Sequence, residues 1–141
     1  ISNDNVCYLG DCIFGESTLN KYKIPYIYDV LKFKKTIEKI KTLKMEYYIM
    51  SHGNIETDIT DIADKNISVV EMVENEVLGF ITKPIAFDDI LKYLCDDMGI
   101  ELNYVQYALI GNTLRSFLSY LYNTDKIQYE FIDNKLIWKK K

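Results

Sequence analysis

Two short stretches constrain this chain more than anything else in it: Val6-Cys7-Tyr8-Leu9-Gly10-Asp11-Cys12-Ile13-Phe14-Gly15 and, one helix later, Tyr47-Tyr48-Ile49-Met50-Ser51-His52-Gly53. Each is an apolar run too short for a helix that stops on a polar residue beside a glycine. That is how a buried strand delivers one functional side chain at its tip. The side chains delivered are Asp11 and His52, the latter the single histidine of the chain. Borderline and hard cations accept both donor types, so the pair are candidate metal ligands. From spacing alone, a structural or surface histidine is the alternative.

The rest of the chain is mostly helical in pattern. Between the two stretches, residues 15–28 have no clean period and read as a loop near the mouth of the site. Asp29 then opens an amphipathic helix with Val30, Phe33, Ile37 and Ile40 inward and Lys32, Lys34, Lys35, Lys39 and Lys41 on a solvated face. A strand, a crossover helix and a strand suit a parallel or mixed sheet covered by helices.

From Thr57 the texture changes. Asp58, Asp61 and Asp64 lack the glycine and distal glutamate of a calcium loop and instead favour the first turn of a helix running to about Ile81. Pro84 blocks its continuation. A second helix starts near Asp88 and Asp89 and stops at Gly99; a third, capped by Asn103, runs through Tyr122. Ile127–Ile132 and Lys135–Lys139 form a hairpin around Asp133-Asn134, two residue types that tolerate positive φ.

Gly-Asp-x-Ile-Phe-Gly, a linking helix and a strand ending in Ser-His-Gly resemble the second half of the metallo-β-lactamase fold. The resemblance implies a metal-dependent hydrolase that takes a small-molecule or phosphoester substrate. By the same resemblance Asp11 bridges two metal ions, usually zinc, and His52 binds one of them. The main ligand motif of that superfamily, His-x-His-x-Asp-His, is absent from this sequence. The resemblance therefore implies a C-terminal fragment, inactive by itself and without a catalytic residue of its own; an opening Ile1 is consistent with that. Three helices followed by a hairpin are similar to the winged-helix domain often appended to such hydrolases. The expected architecture is thus a partial αββα sandwich of α/β class over residues 1–56, followed by a mostly α winged helix with a C-terminal β-hairpin over residues 57–141.

Charge separates the two parts. Residues 1–53 carry eight lysines and six acids, whereas residues 54–141 carry nine bases and fifteen acids. An acidic second domain whose long helix holds Arg115 as its only charge argues against nucleic-acid binding, which needs cations for phosphates and donors for base edges. Tyr104, Tyr107, Phe117, Tyr120 and Tyr122 add more apolar surface than one buried stripe requires, so residues 104–122 are a candidate face for self-association. A non-catalytic interaction or dimerisation module is accordingly the competing reading.

Other chemistries lack their residues. The Gly10–Gly15 stretch has no Gly-Lys-Ser/Thr, and Ser51 and Gly53 around His52 form no nucleophile elbow. Cys7, Cys12 and Cys95 have neither C-x-x-C spacing nor a second histidine and read as reduced, buried thiols. No apolar run reaches the roughly 20 residues needed to span a bilayer, and no leader pattern is present, so the expected location is the cytoplasm.

Overall fold

Two strands set the first half of the structure, a computed structural model that describes residues 4–141. Ile1, and with it the start of the expected 1–56 domain, lies outside those residues. β1 (Val6–Gly10) turns one face inward through Cys7 and Leu9 and exposes Tyr8, and β2 (Tyr47–Met50) buries Tyr48 and Met50 by the same alternation. They pair in parallel, Cys7 opposite Tyr48. The crossover between them contains α1 (Glu16–Lys21) and α2 (Val30–Thr42). A two-residue β3 (Ile55–Glu56) adds antiparallel to β2, so the sheet is mixed.

Two compact units divide the chain: one holds residues up to Pro25 and Leu31–Glu71, the other Tyr26–Val30 and Met72–Lys141. The first unit includes the opening turns of α3 (Thr60–Phe80). Its core joins Cys7, Leu9, Ile13, Ile37, Ile40, Tyr48, Met50, Ile59 and Ala63. The Tyr48 hydroxyl donates to the carbonyl of Leu43 at 2.6 Å and accepts from the amide of Met45 at 3.3 Å, which fixes the corner where α2 gives way to β2.

The second unit contains the rest of α3, β4 (Ile85–Ala86), α4 (Phe87–Met98), α5 (Tyr104–Asn123), β5 (Ile127–Ile132) and β6 (Lys135–Lys140). Its three strands form an antiparallel sheet in the order β4-β6-β5. Val77, Ile90, Leu94, Leu114, Phe117, Leu118, Leu121 and Ile127 are among its buried apolar residues, each at most 1 % exposed. Gly99 terminates α4 at φ 61°, and its amide donates back to the carbonyls of Asp96 and Cys95. Asn103 and Gln106 form a reciprocal capping box at the start of α5. Asp133 and Asn134 both adopt positive φ, 49° and 61°, and close the hairpin in two residues.

Some expectations need revision. The stretch 15–28 is not all loop: Glu16–Lys21 is helical, and Ile24 and Ile27 are buried. Segment 26–30 belongs to the second unit, where the amides of Ile27 and Val30 donate to the hydroxyls of Thr113 and Ser116 at 3.2 and 3.1 Å. On α3 the buried stripe runs through Ala63, Asn66, Val70, Val73, Glu74 and Val77, so it includes two polar residues that a reading of apolar spacing passes over. β3 and β4 were not expected; two residues give no period to read.

Gly111 sits in the interior of α5, where a Cβ would meet only the far end of the Arg115 side chain, Nη1 at 3.4 Å, and Phe87 Cζ at 3.8 Å. Close packing therefore does not require the glycine. Gly111→Ala is expected to stabilise the protein by about 0.5–1 kcal/mol, the helix-propensity difference, seen as a rise in urea midpoint at constant m-value.

Candidate metal centre

Gly10 ends β1 with φ 59°, in the left-handed region that a glycine reaches without cost, and the strand register shifts between Tyr8 and Gly10. Asp11 follows directly, in the turn that leaves the strand. At the tip of β2, the Ser51 amide donates to the carbonyl of Gly10 at 3.2 Å, so the two strand ends are stitched together one residue short of each functional side chain.

His52 Nε2 lies 3.8 Å from Asp11 Oδ1, and both side chains are 68 % exposed. The separation is too long for a hydrogen bond. Two donors bound to one zinc at about 2.0–2.2 Å with a tetrahedral angle sit roughly 3.4 Å apart, so this pair fits one edge of a coordination shell after a movement of some tenths of an ångström. Among the described residues, no group of three or more His, Cys, Asp and Glu side chains is gathered closely enough to hold a metal ion. Asp11 and His52 supply two donors, and a full shell calls for more.

Cys12 is adjacent but turned elsewhere. Its thiol donates to the Leu9 carbonyl, and burial pushes its pKa up.

What holds the pair in place lies mostly beyond what the sequence motifs indicated. Gly15 packs backbone to backbone on the His52 loop: a Cβ at position 15 would fall 2.7 Å from the His52 carbonyl oxygen and 2.8 Å from Gly53 Cα. The Thr18 hydroxyl donates to that same His52 carbonyl at 3.0 Å. From below, the fully buried amide of Asn66 clamps the peptide groups of Phe14: Oδ1 accepts from the Phe14 amide at 3.0 Å, and Nδ2 donates to the Phe14 carbonyl at 2.8 Å and to that of Ile62. Phe14 also stacks on Phe33, with ring centroids 5.9 Å apart. The sequence signal for Asn66 is slight, an amide on an otherwise apolar helical stripe.

The fold has a recognisable counterpart. The chain is similar to the crystal structure of a beta-lactamase domain protein from Burkholderia ambifaria, with a TM-score of 0.77 at 14 % sequence identity. It shares that protein's fold. The alignment covers 98 % of this chain and 42 % of the other, so this chain spans about two fifths of its neighbour's length. No family model matches the chain. No curated protein matches it in sequence. No described helix is long and apolar enough to cross a membrane.

Asn66 has the largest energetic stake in this arrangement, because removing its buried side chain leaves the half-buried peptide groups of Phe14 without their partners. Asn66→Ala is expected to cost about 2–3 kcal/mol, read from the urea midpoint. Hydrogen exchange at the Phe14 amide should accelerate beyond what the global loss of stability accounts for.

Proposed function

We propose that this chain is part of a metal-dependent hydrolase of the metallo-β-lactamase superfamily, in which Asp11 and His52 are two of the zinc donors. The remaining donors would come from polypeptide outside these 141 residues. The observation that carries this reading is the 3.8 Å approach of the only histidine to an aspartate, both at the tips of neighbouring parallel strands in a fold similar to a beta-lactamase domain. The share of the neighbour left unmatched, and the want of a third donor among the described residues, support the fragment reading.

Held by Asp11 and His52 together with further donors, zinc would supply Lewis-acid polarisation of a carbonyl or phosphoryl group and a more acidic water. The residues of this chain have a narrower task. Asp11 offers two oxygens on a turn whose left-handed first residue is Gly10, and His52 presents Nε2 toward them. The exposure of both side chains leaves them open to a metal, a substrate and further ligands. Small-molecule or phosphoester substrates suit this chemistry, and the expected location is the cytoplasm.

The order helix, short strand, two helices and hairpin, with the short strand beside β6, supports reading residues 57–141 as a winged helix. A second reading has an observation in its favour. At the start of α5, Tyr104 is 88 % and Val105 62 % exposed, with Tyr107 and Leu109 nearly half exposed. Residues 104–122 would then serve as a self-association face of a non-catalytic module. If they do, Tyr104→Lys combined with Val105→Glu should turn a concentration-dependent oligomer into a monomer in light scattering.

The hydrolase reading is tested by adding metal to the 141-residue chain. Calorimetry with zinc should give no submicromolar stoichiometric site, because two exposed donors do not make a closed shell. Millimolar Co²⁺ should nonetheless broaden the His52 ring signals selectively in NMR spectra, and Asp11→Ala should abolish the selectivity. Tight binding lost in Asp11→Ala would refute the fragment reading; no effect at His52 would refute the donor pair.

A further inference from the structure

The geometry points to Thr18 as a positioning residue for the Asp11–His52 pair, acting through the backbone of His52 rather than through either functional side chain. The proposal rests on the reading of that pair as metal donors given above.

His52 follows β2 by only two positions, in the four-residue loop 51–54 that leads to β3. Its imidazole is 68 % exposed, and the only polar contact of that ring described is the long one to Asp11. Little holds the ring from its own side, so its place must be set by its peptide. Three contacts define that peptide: the Ser51 amide on the Gly10 carbonyl, the Gly15 backbone against the His52 carbonyl and Gly53 Cα, and the Thr18 hydroxyl on the His52 carbonyl oxygen. The first fixes the strand end, and the second sets how near the two loops come. Thr18 supplies the only described side-chain hydrogen bond to the His52 peptide, and so opposes rotation of that peptide about the strand axis.

The same residue is tied to the aspartate's side of the site. Thr18 lies on α1, which Gly15 opens: the Gly15 carbonyl accepts from the amides of Thr18 and Leu19 at 3.0 Å each. Gly15 follows Phe14, the residue held by Asn66, and only three residues separate it from Asp11. The loop carrying the carboxylate thus runs directly into the helix whose threonine grips the imidazole's backbone. A hydroxyl at this position couples the placement of one donor to that of the other. A hydrophobic side chain of equal size would leave the carbonyl to water and free the peptide to rotate.

The test compares Thr18→Val, which keeps the shape and loses the donor, with Thr18→Ser, which keeps the donor. Thr18 is half-exposed, so neither change threatens the fold, and dispersed amide spectra check this. With one histidine in the chain, its ring signals are unambiguous. The first readout is the nuclear Overhauser contact between the His52 ring and the protons of Asp11. The second is the Co²⁺ concentration that half-broadens the His52 ring signals. Thr18→Val should lose the contact and raise that concentration roughly five-fold, the scale of one lost hydrogen bond, and Thr18→Ser should recover both. A Thr18→Val protein that keeps the contact, or a Thr18→Ser protein that fails to recover it, overturns the proposal. If wild-type protein shows the contact but no Co²⁺ effect at His52, the metal reading fails while the Overhauser comparison still decides the role of Thr18.

Discussion

Everything at the candidate centre depends on how closely two backbones approach. Gly15 and Gly53 have no side chains to separate them, and a single added methyl at Gly15 would lie within 2.8 Å of main-chain atoms that have nowhere to go. Because the contact is backbone to backbone, no rotamer change can relieve it. The loops after β1 and β2 therefore stand at one spacing, which sets how near the backbones of Asp11 and His52 come, while Thr18 restrains the His52 peptide within it. A preorganised pair of donors does not have to be gathered by the metal it serves, which spares part of the ordering cost on binding.

Rigidity at that contact would be of little use if the loop beyond it were free. The run from Asp11 to Gly15 contains one fully buried side chain, Ile13, and the Phe14 ring stacked on Phe33; polar groups also reach in, Asn66 to both peptide groups of Phe14 and, just past the run, Lys65 to Glu16 at 2.7 Å. These two fastenings differ greatly in weight. The Lys65–Glu16 pair is half or more exposed on both sides and contributes little in high dielectric. The Asn66 amide works where water is excluded, and there an unmade hydrogen bond costs far more than a made one gains. α3 is thus more than a connector, since its second turn carries the group that ties the carboxylate's loop to the core.

What the sequence made legible and what it hid divide along one physical line, the range of the interaction. The short apolar strands ending at Gly10 and Met50, the Asn103 cap, the Gly99 stop and the Asp133-Asn134 turn are all local, so each writes its requirement into adjacent residues. The approach of Asp11 to His52 was also foreseeable, because a parallel strand–helix–strand unit brings strand tips to the same edge. The supports were not. Asn66 and Phe14 are 52 positions apart and Thr18 and His52 are 34 apart, and a hydrogen bond over that distance leaves no period or dipeptide to read. The two-residue strands β3 and β4 escaped for a related reason, since sheet partners create them rather than their own propensity.

Glu74 in the second unit follows the same logic, with a charge in place of an amide. It occupies the buried stripe of α3, 5 % exposed, and Lys126 at the turn before β5 reaches it with a hydrogen bond of 2.5 Å. A carboxylate in that position is tolerable only while it is paired, because its desolvation is not repaid by packing. Lys126 also donates its amide to the Leu121 carbonyl and accepts from the Lys141 amide, so one residue ends α5, starts the hairpin and neutralises the buried acid. Each unit therefore places one polar group on the inward face of the same helix and uses it to hold a loop. In the first unit that loop carries Asp11. In the second it joins α5 to the hairpin. A helix patterned only for apolar burial would have packed as well, but it could not have told either loop where to lie.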